Sequence, residues 1–558
     1  METRKLILLM VFSLSLVMLW DNYQVSVGKP PLFGLGTAQP VAQDKSSDQS
    51  KQAASDKPAT DLPSAVSASE GNPAAQLKSV AAAPADEKGQ IIVAKTDVMQ
   101  LDFSTLGAQI VGSELLKQPD SQDKSKPMQL FSNTASNTYL GQVGVVGVAD
   151  APNHRSLFQF EGGPTTLGPN QDSLDLKFKA SSGGVNVEYT YTLYKDRYDI
   201  GFKATVTNTT QAVVDPSVYM QITRDGNPLS DASKFYHTFT GPAIYSPEGK
   251  YQKIKFSNID DNSASFVKSA ESGWVAMVQH YFVSAIIPEK GSRQNYTLLI
   301  KPNLYAVGMK SAIGAIQPGQ SATYNATLYS GPQNQRALAK LSEGLDLVVD
   351  YGWLTVIAKP IHWLLDHIHG IVHNWGWSII ILTCLIKLLF FPLSATSYKS
   401  MAKMRQVGPR MQKLKEQYGD DKAGFQRAMM EMYKREKINP LGGCMPIVVQ
   451  IPVFISLYWV LLASVEMRGA PWLGWVSDLA QPDPYYILPI IMAVTMFVQT
   501  RLNPTPPDPV QAKLMMVMPL VFSFMFLFFP SGLVLYWVVN NMLSITQQWV
   551  ITRKLMKS

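Results

Sequence analysis

Hydrophobic and polar positions follow three different rhythms along this chain. Between residues 91 and 335 apolar side chains recur at every second position, as in Val185-Asn-Val-Glu-Tyr-Thr-Tyr-Thr-Leu and Ala322-Thr-Tyr-Asn-Ala-Thr-Leu-Tyr. That period places one face of a strand inward. Further strands are expected at 98–103, 200–207, 217–223, 274–288 and 296–301, punctuated by Gly, Asn, Asp and Pro. The period then changes to that of an amphipathic helix over 336–370, where 344–359 carries its apolar residues on one face and Trp353 and Trp363 stand nearby. Beyond it come unbroken apolar runs at 371–392, 446–466, 485–501, 514–530 and 531–551, each near the length of a membrane span. A shorter run follows Arg4 and Lys5, and no small-x-small cleavage site succeeds it, so 1–27 reads as a retained anchor. Residues 28–90 are Ala-, Ser-, Gln- and Pro-rich and read as a disordered tether. The expected fold class is a polytopic α-helical membrane protein of six transmembrane helices with a large all-β domain.

Charge placement sets the topology. The formal charge is +7, and the 393–445 loop alone holds eleven Lys/Arg against five Asp/Glu. Arg4, Lys5, Arg501 and Lys513 (502–513 loop), and Arg553, Lys554 and Lys557 (552–558 tail) fall on the same side. The 467–484 loop and the adjoining Glu466 carry one basic residue and three acidic ones. Basic loops stay in the cytoplasm, so both termini are expected there and the β domain in the periplasm. The basicity is thus a topology signal, and no DNA partner is implied. The two cysteines, Cys384 and Cys444, lie in or beside apolar runs, so the β domain is expected to need no disulfide.

Candidate chemistry is sparse. No nucleophile elbow, phosphate loop or metal-ligand spacing is present, and neither an enzyme nor a bound cofactor is expected. His362, His367, His369 and His373 cluster before the first long run; interfacial histidines are preferred to a metal site because no second ligand pair accompanies them. His237 and His280 in the β domain have no evident carboxylate partner. Asn208, Asn295 and Asn325 begin Asn-x-Thr triplets to which no role is assigned. What stands out is Lys387 inside the 371–392 run, with Thr383 one turn earlier on the same face. A cation there is either an anchor that snorkels to the interface or a functional group facing the bundle interior. Other polar residues recur in the runs, among them Gln450, Gln499, Asn540 and Ser544. The 393–445 loop reads as a helical hairpin, 397–418 and 422–437, with an adaptable face of Met401, Met404, Met411, Met429, Met430 and Met432 that also suits a simple helix–helix seam.

Four segments carry a resemblance. Trp375-Gly-Trp-Ser-Ile-Ile with Pro392-Leu393, Asn439-Pro-Leu-Gly-Gly-Cys-Met-Pro446, Asp483-Pro-Tyr-Tyr-Ile-Leu-Pro489 and Phe529-Pro-Ser-Gly-Leu-Val-Leu-Tyr536 resemble, in order, the bacterial YidC insertase family. The resemblance implies a five-helix insertase core and, for the Gram-negative form, a periplasmic β-supersandwich. It implies insertion of inner-membrane proteins without ATP, alone or with the Sec translocon, through a hydrophilic groove open to cytoplasm and lipid. Lys387 falls where the family keeps its groove cation, commonly an arginine. Thr383 and Trp537 fall on the groove lining, and the hairpin corresponds to the region thought to receive substrates. Implied partners are nascent membrane proteins, the Sec translocon, membrane lipids, and the ribosome and signal-recognition receptor. A channel or transporter, or an anchored periplasmic sugar-binding protein, are the rival readings.

Overall fold

The computed structural model describes residues 62–63, 89–121, 123–134, 136–229, 238–419, 421–436, 445–503 and 509–557. The expected anchor 1–27, nearly all of the tether, His237 and the segment 437–444 lie outside the described residues. The chain divides into two compact units, one ending at Val349 and one running from Asp350 to Ser558.

The β unit is built from two antiparallel sheets. The first runs in hydrogen-bonded order through Ile91–Lys95, Met99–Ser104, Gln109–Pro119, Thr138–Val146, Ser217–Asp225, Leu304–Ala312, Arg293–Lys301 and Ser269–Ala270. The second runs through Lys250–Lys253, Gly241–Ser246, Trp274–Val278, Phe282–Pro288, Ser321–Pro332, Asp199–Asn208, Val185–Tyr194, Ser173–Ser182 and Gln159–Phe160. The period-2 pattern is directly visible: in Val185–Tyr194 every odd residue is buried. Those inward residues build an aromatic core, with Tyr191 against Phe103 at 4.8 Å and Phe202 at 5.2 Å, and Phe158 stacked on Tyr189 at 4.9 Å. Offset and tilted rings at such distances add attraction beyond their buried area.

Some sequence expectations change. The run 274–288 is two strands, because Gln279, His280 and Tyr281 form the turn between Trp274–Val278 and Phe282–Pro288. The β unit also extends past the expected boundary at 335: helix α2 (Gln335–Leu341; α1 is Phe256–Asp260) and the turn after it still pack on the sandwich. Trp274 Nε1 donates to Glu343 O at 3.2 Å and Tyr245 Oη to Glu343 Oε1 at 3.0 Å. The helix expected over 344–359 is two short 3-10 turns up to Leu354, since Gly344 and Gly352 take φ of 72° and 65°, which a continuous right-handed helix excludes. Only then does α3 (Thr355–Val372) begin, with Val356, Trp363 and Ile371 exposed and His362, Leu365 and Ile368 buried.

The remaining helices are α4 (Trp375–Leu389), α5 (Phe391–Gln406), α6 (Gly408–Tyr418), α7 (Lys422–Arg435), α8 (Met445–Ala463), α9 (Ile487–Leu502), α10 (Pro509–Phe526) and α11 (Ser531–Lys557). Among the described residues no single helix is long and apolar enough to cross a membrane by itself; α4 and α5 meet that test together, bent by 67°. The bend sits at Phe390, and Pro392 in the first turn of α5 cannot extend the helix before it. The first arm of the hairpin is likewise not one helix over 397–418. Gly408-Pro409 starts a new helix after Val407, so that arm is α5 followed by α6.

One buried histidine had no periodic signal to betray it. His154 is 4% exposed, its Nδ1 shares a hydrogen bond of 2.5 Å with the Tyr219 hydroxyl, and burial pushes its pKa down to about 4. It is therefore neutral in the fold, while the unfolded chain takes up a proton at its ordinary value near 6.5. Stability is complete above that pH and falls as pH drops toward 4, by about 3 kcal/mol in all. Urea unfolding of the full chain, followed by β-unit fluorescence between pH 7 and 4, should show this slope, and His154→Gln should flatten it.

Candidate functional site: a buried lysine among packed apolar helices

Helix α4 starts cleanly. Asn374 accepts the Trp377 N–H at 3.1 Å, the N-cap arrangement that stabilises a helix start by about 1 kcal/mol. Ser378, Ile379, Leu382, Thr383 and Lys387 then form one buried face. Thr383 is 1% exposed and its hydroxyl donates to Ile379 O at 2.6 Å, so it is satisfied within its own helix. Lys387 is 4% exposed, and its Nζ donates to Ser544 Oγ on α11 at 2.8 Å. The side chain thus turns onto a neighbouring helix and not outward toward an interface. The Ser544 hydroxyl donates to Asn540 O at 2.7 Å, and Tyr398 of α5 stands beside it. Three helices converge on one hydroxyl next to one ammonium.

The surrounding polar residues are arranged along α11. Asn541, 3% exposed, donates to Thr495 Oγ1 of α9 at 3.4 Å. Gln548 Nε2 donates to Leu502 O at 3.0 Å and Asn503 Oδ1 at 3.3 Å. The Oε1 atoms of Gln547 and Gln548 are buried without a partner among the described residues. Buried acceptors of that kind call for a donor from water or a bound chain. Asn540 is half-buried and joins the set through its carbonyl. Trp537 is half-buried and packs edge-on to Phe454 at 4.5 Å and beside Phe526 at 5.2 Å, an aromatic contact. Gln450 and Gln499 are half-buried and stay outside this hydrogen-bonded set among the described residues. Sequence reasoning noticed Ser544 as one of many polar residues but missed Tyr398 and Gln548. The only signal for Gln548 was its spacing of i+4 from Ser544.

One end of the bundle is closed by the segment 464–486. Asn374 Nδ2 donates to Pro471 O and Trp472 O, each at 3.3 Å. Ser531 N and Gly532 N, at the start of α11, donate to Gln481 O at 2.7 Å and Leu479 O at 2.9 Å. Asp483 accepts from Tyr485 N and Leu488 N and so caps α9. Trp472 lies flat over Gly376, where an added Cβ would meet its ring at 2.1 Å. In the hairpin, Val407, Met411, Met432 and Tyr433 form a small core with Met404, Phe425 and Met429 packed on it. Of the methionines singled out, Met430 is exposed and Met401 half-buried.

Apolar helices with a buried, hydrogen-bonded lysine, following an antiparallel β unit in the chain, are the features to set beside known proteins. The family model of the 60Kd inner membrane protein matches residues 367–558 and that of the YidC periplasmic domain matches residues 91–364. A protein of Bordetella petrii named membrane protein insertase YidC is 52% identical over 100% of this chain and 99% of its own length. Proteins of the same name from Bordetella pertussis (51%, 100% and 98%) and Janthinobacterium sp. (50%, 100% and 99%) are similar throughout. A crystal structure of active YidC insertase with the first transmembrane domain resolved aligns with 83% of this chain and 94% of that one at 17% identity and a TM-score of 0.38. The chain belongs to the YidC family of inner-membrane protein insertases, and its β unit is the family's periplasmic domain. The family's members are named as insertases and not as enzymes.

Gly376→Ala should force the Trp472 ring out of its seat and cost about 1–3 kcal/mol, the usual range for overpacking. Thermal unfolding of the full chain measures this. Adding Trp472→Leu should recover part of the loss, and a neutral Gly376→Ala would mean that Trp472 does not rest there.

Proposed function

We propose that this protein inserts proteins into the bacterial inner membrane by offering the hydrophilic part of an incoming chain a polar interior at Lys387 while its apolar segments leave sideways into lipid. The single observation that carries this reading is the 4% exposed Lys387 ammonium bound to Ser544 within apolar helices. An ammonium so placed attracts carboxylates in a translocated segment, because opposite charges interact more strongly away from bulk water. Thr383 one turn before Lys387 on α4, and Trp537 and Asn540 at seven and four residues before Ser544 on α11, line the same interior, and the Gln547 and Gln548 acceptors, without a partner among the described residues, continue it along α11. Gln450 and Gln499 complete the groove lining on α8 and α9.

Both termini and the hairpin lie on the cytoplasmic side, following the loop charges. The hairpin meets incoming segments or the ribosome and signal-recognition receptor through Met430 and Met401, with Met404, Met411 and Met429 holding its arms together. The protein works alone or beside the Sec translocon, and the exposed apolar faces of α9 and α10, such as Ile490, Val494, Leu520 and Phe524, meet lipid.

Rescue of insertase-depleted cells tests the role of the charge, read as insertion of a short membrane protein with an acidic translocated tail. Lys387→Arg should support insertion, and Lys387→Glu should abolish it at normal protein levels. Normal insertion by both variants would make Lys387 a structural residue and leave the polar interior without its cation.

A further inference from the structure

Helices α9 and α11 run side by side in the same direction. Asn541 donates to Thr495 Oγ1 and Gln548 to Leu502 O, and both pairs are offset by 46 residues, as only a parallel pair allows. At about 100° per residue, Ile491, Val498 and Arg501 fall on one flank of this contact line on α9, and Met542, Trp549 and Arg553 on one flank of it on α11. These are the two flanks that adjoin, because a parallel pair sets the clockwise side of one helix beside the counter-clockwise side of the other. All six side chains are exposed, whereas Pro489 and Ser544 on the opposite flanks are buried. The result is an open apolar seam. The end that the loop charges place in the cytoplasm is cationic. The Arg501 guanidinium lies over the Phe497 ring and the Arg553 guanidinium over the Trp549 ring, each at 5.0 Å. By the common offset Trp549 stands level with residue 503, just past Arg501. Neither arginine forms an ion pair among the described residues.

We propose that this seam seats one anionic phospholipid of the cytoplasmic leaflet, its phosphate held by Arg501 and Arg553 and an acyl chain laid along Ile491, Val498 and Met542. Each part of the seam selects that occupant. A guanidinium binds phosphate through parallel N–H···O bonds, and two arginines without carboxylate partners have those donors to offer. An arginine that only anchors its helix reaches on toward water. Both of these turn back over a ring one turn earlier in their own helix, beside exposed apolar surface. A cation so placed is met best by an anion that brings its own hydrocarbon, as a lipid does and a free ion does not. The walls of the seat are fixed, since Gln548 Nε2 ties α11 to Leu502 O and Asn503 Oδ1 at the end of α9. A lipid held there braces α11 from outside, and α11 carries Ser544, the partner of Lys387. The proposal rests on the placement of these helices in the membrane and not on the charge of Lys387, so either can fail without the other.

The test uses the full chain in detergent, titrated with phosphatidylglycerol or with phosphatidylcholine of the same acyl chains, and reads the lipid-bound fraction by native mass spectrometry. Arg501→Gln and Arg553→Gln are made singly and together. A control chain with Lys554→Gln and Lys557→Gln loses the same charge from the tail. The expected result is a single phosphatidylglycerol held in preference to phosphatidylcholine. Either arginine variant should weaken it about fivefold and both together about thirtyfold, at an unchanged unfolding midpoint. Val498→Trp should weaken it by filling the seam, and the tail control should bind as the natural chain does. If the double variant fails to fold, the single variants and Val498→Trp decide. Equal binding of the two lipids, binding unchanged in the folded arginine variants, or an equal loss in the tail control would overturn the proposal. So would displacement of the lipid by inorganic phosphate alone, which would assign the arginines to a free anion.

Discussion

An ammonium group among apolar helices has to find its solvation inside the protein. At the centre of a membrane helix it costs about 2.5–3.5 kcal/mol on insertion scales. The bundle meets this by turning Lys387 onto Ser544, which is itself anchored to the backbone of α11 at Asn540. Much of the helical unit follows from that one contact. Helices α4 and α11 must lie close, and a small residue at the head of α11 lets them: a Cβ added at Gly532 would already touch Ile379 of α4 at 3.5 Å. A lysine delivers its charge as a point on a flexible stem with three donors, and the Ser544 hydroxyl takes up one of them, where an arginine fork would require a wider, planar set of acceptors.

The helix ends obey the same economy of partners. The closing segment 464–486 has little regular structure, yet its carbonyls take up the Asn374 amide and the first N–H groups of α11, and its Asp483 caps α9. Buried backbone groups are almost always paired, and here the loop does that pairing at one end of the bundle. The β unit rests on other physics. Its stability comes from alternating inward residues and stacked aromatics, and its informative exception is a buried histidine, His154, kept neutral by burial.

What could be read from the sequence divides along physical lines. Strands with strict alternation, such as Val185–Tyr194 and Ser321–Pro332, were legible because one face of each is buried. The unusual cost of Lys387 in an apolar run made it legible as well. Its partner was not, since Ser544 is 157 residues away and serine is ordinary in membrane helices. The end of the apolar run at Pro392 was legible to within two residues of the break at Phe390, whereas the break at Val407 was missed because Pro409 sits just inside the following helix, where proline is welcome. The run 344–359 had helical periodicity, and two glycines with positive φ overrode it. The burial of His154 depends on what lies across the fold, which no local period encodes.

The most direct test of the account is site-specific photocrosslinking to a stalled nascent membrane protein with an acidic translocated tail. A crosslinker at Asn540, one turn before Ser544, should capture the polar tail, while one at Ile490, 59% exposed on the apolar outside of α9, should capture only apolar segments or lipid. Capture of the tail from Ile490 and not from Asn540 would contradict a polar interior built around Lys387.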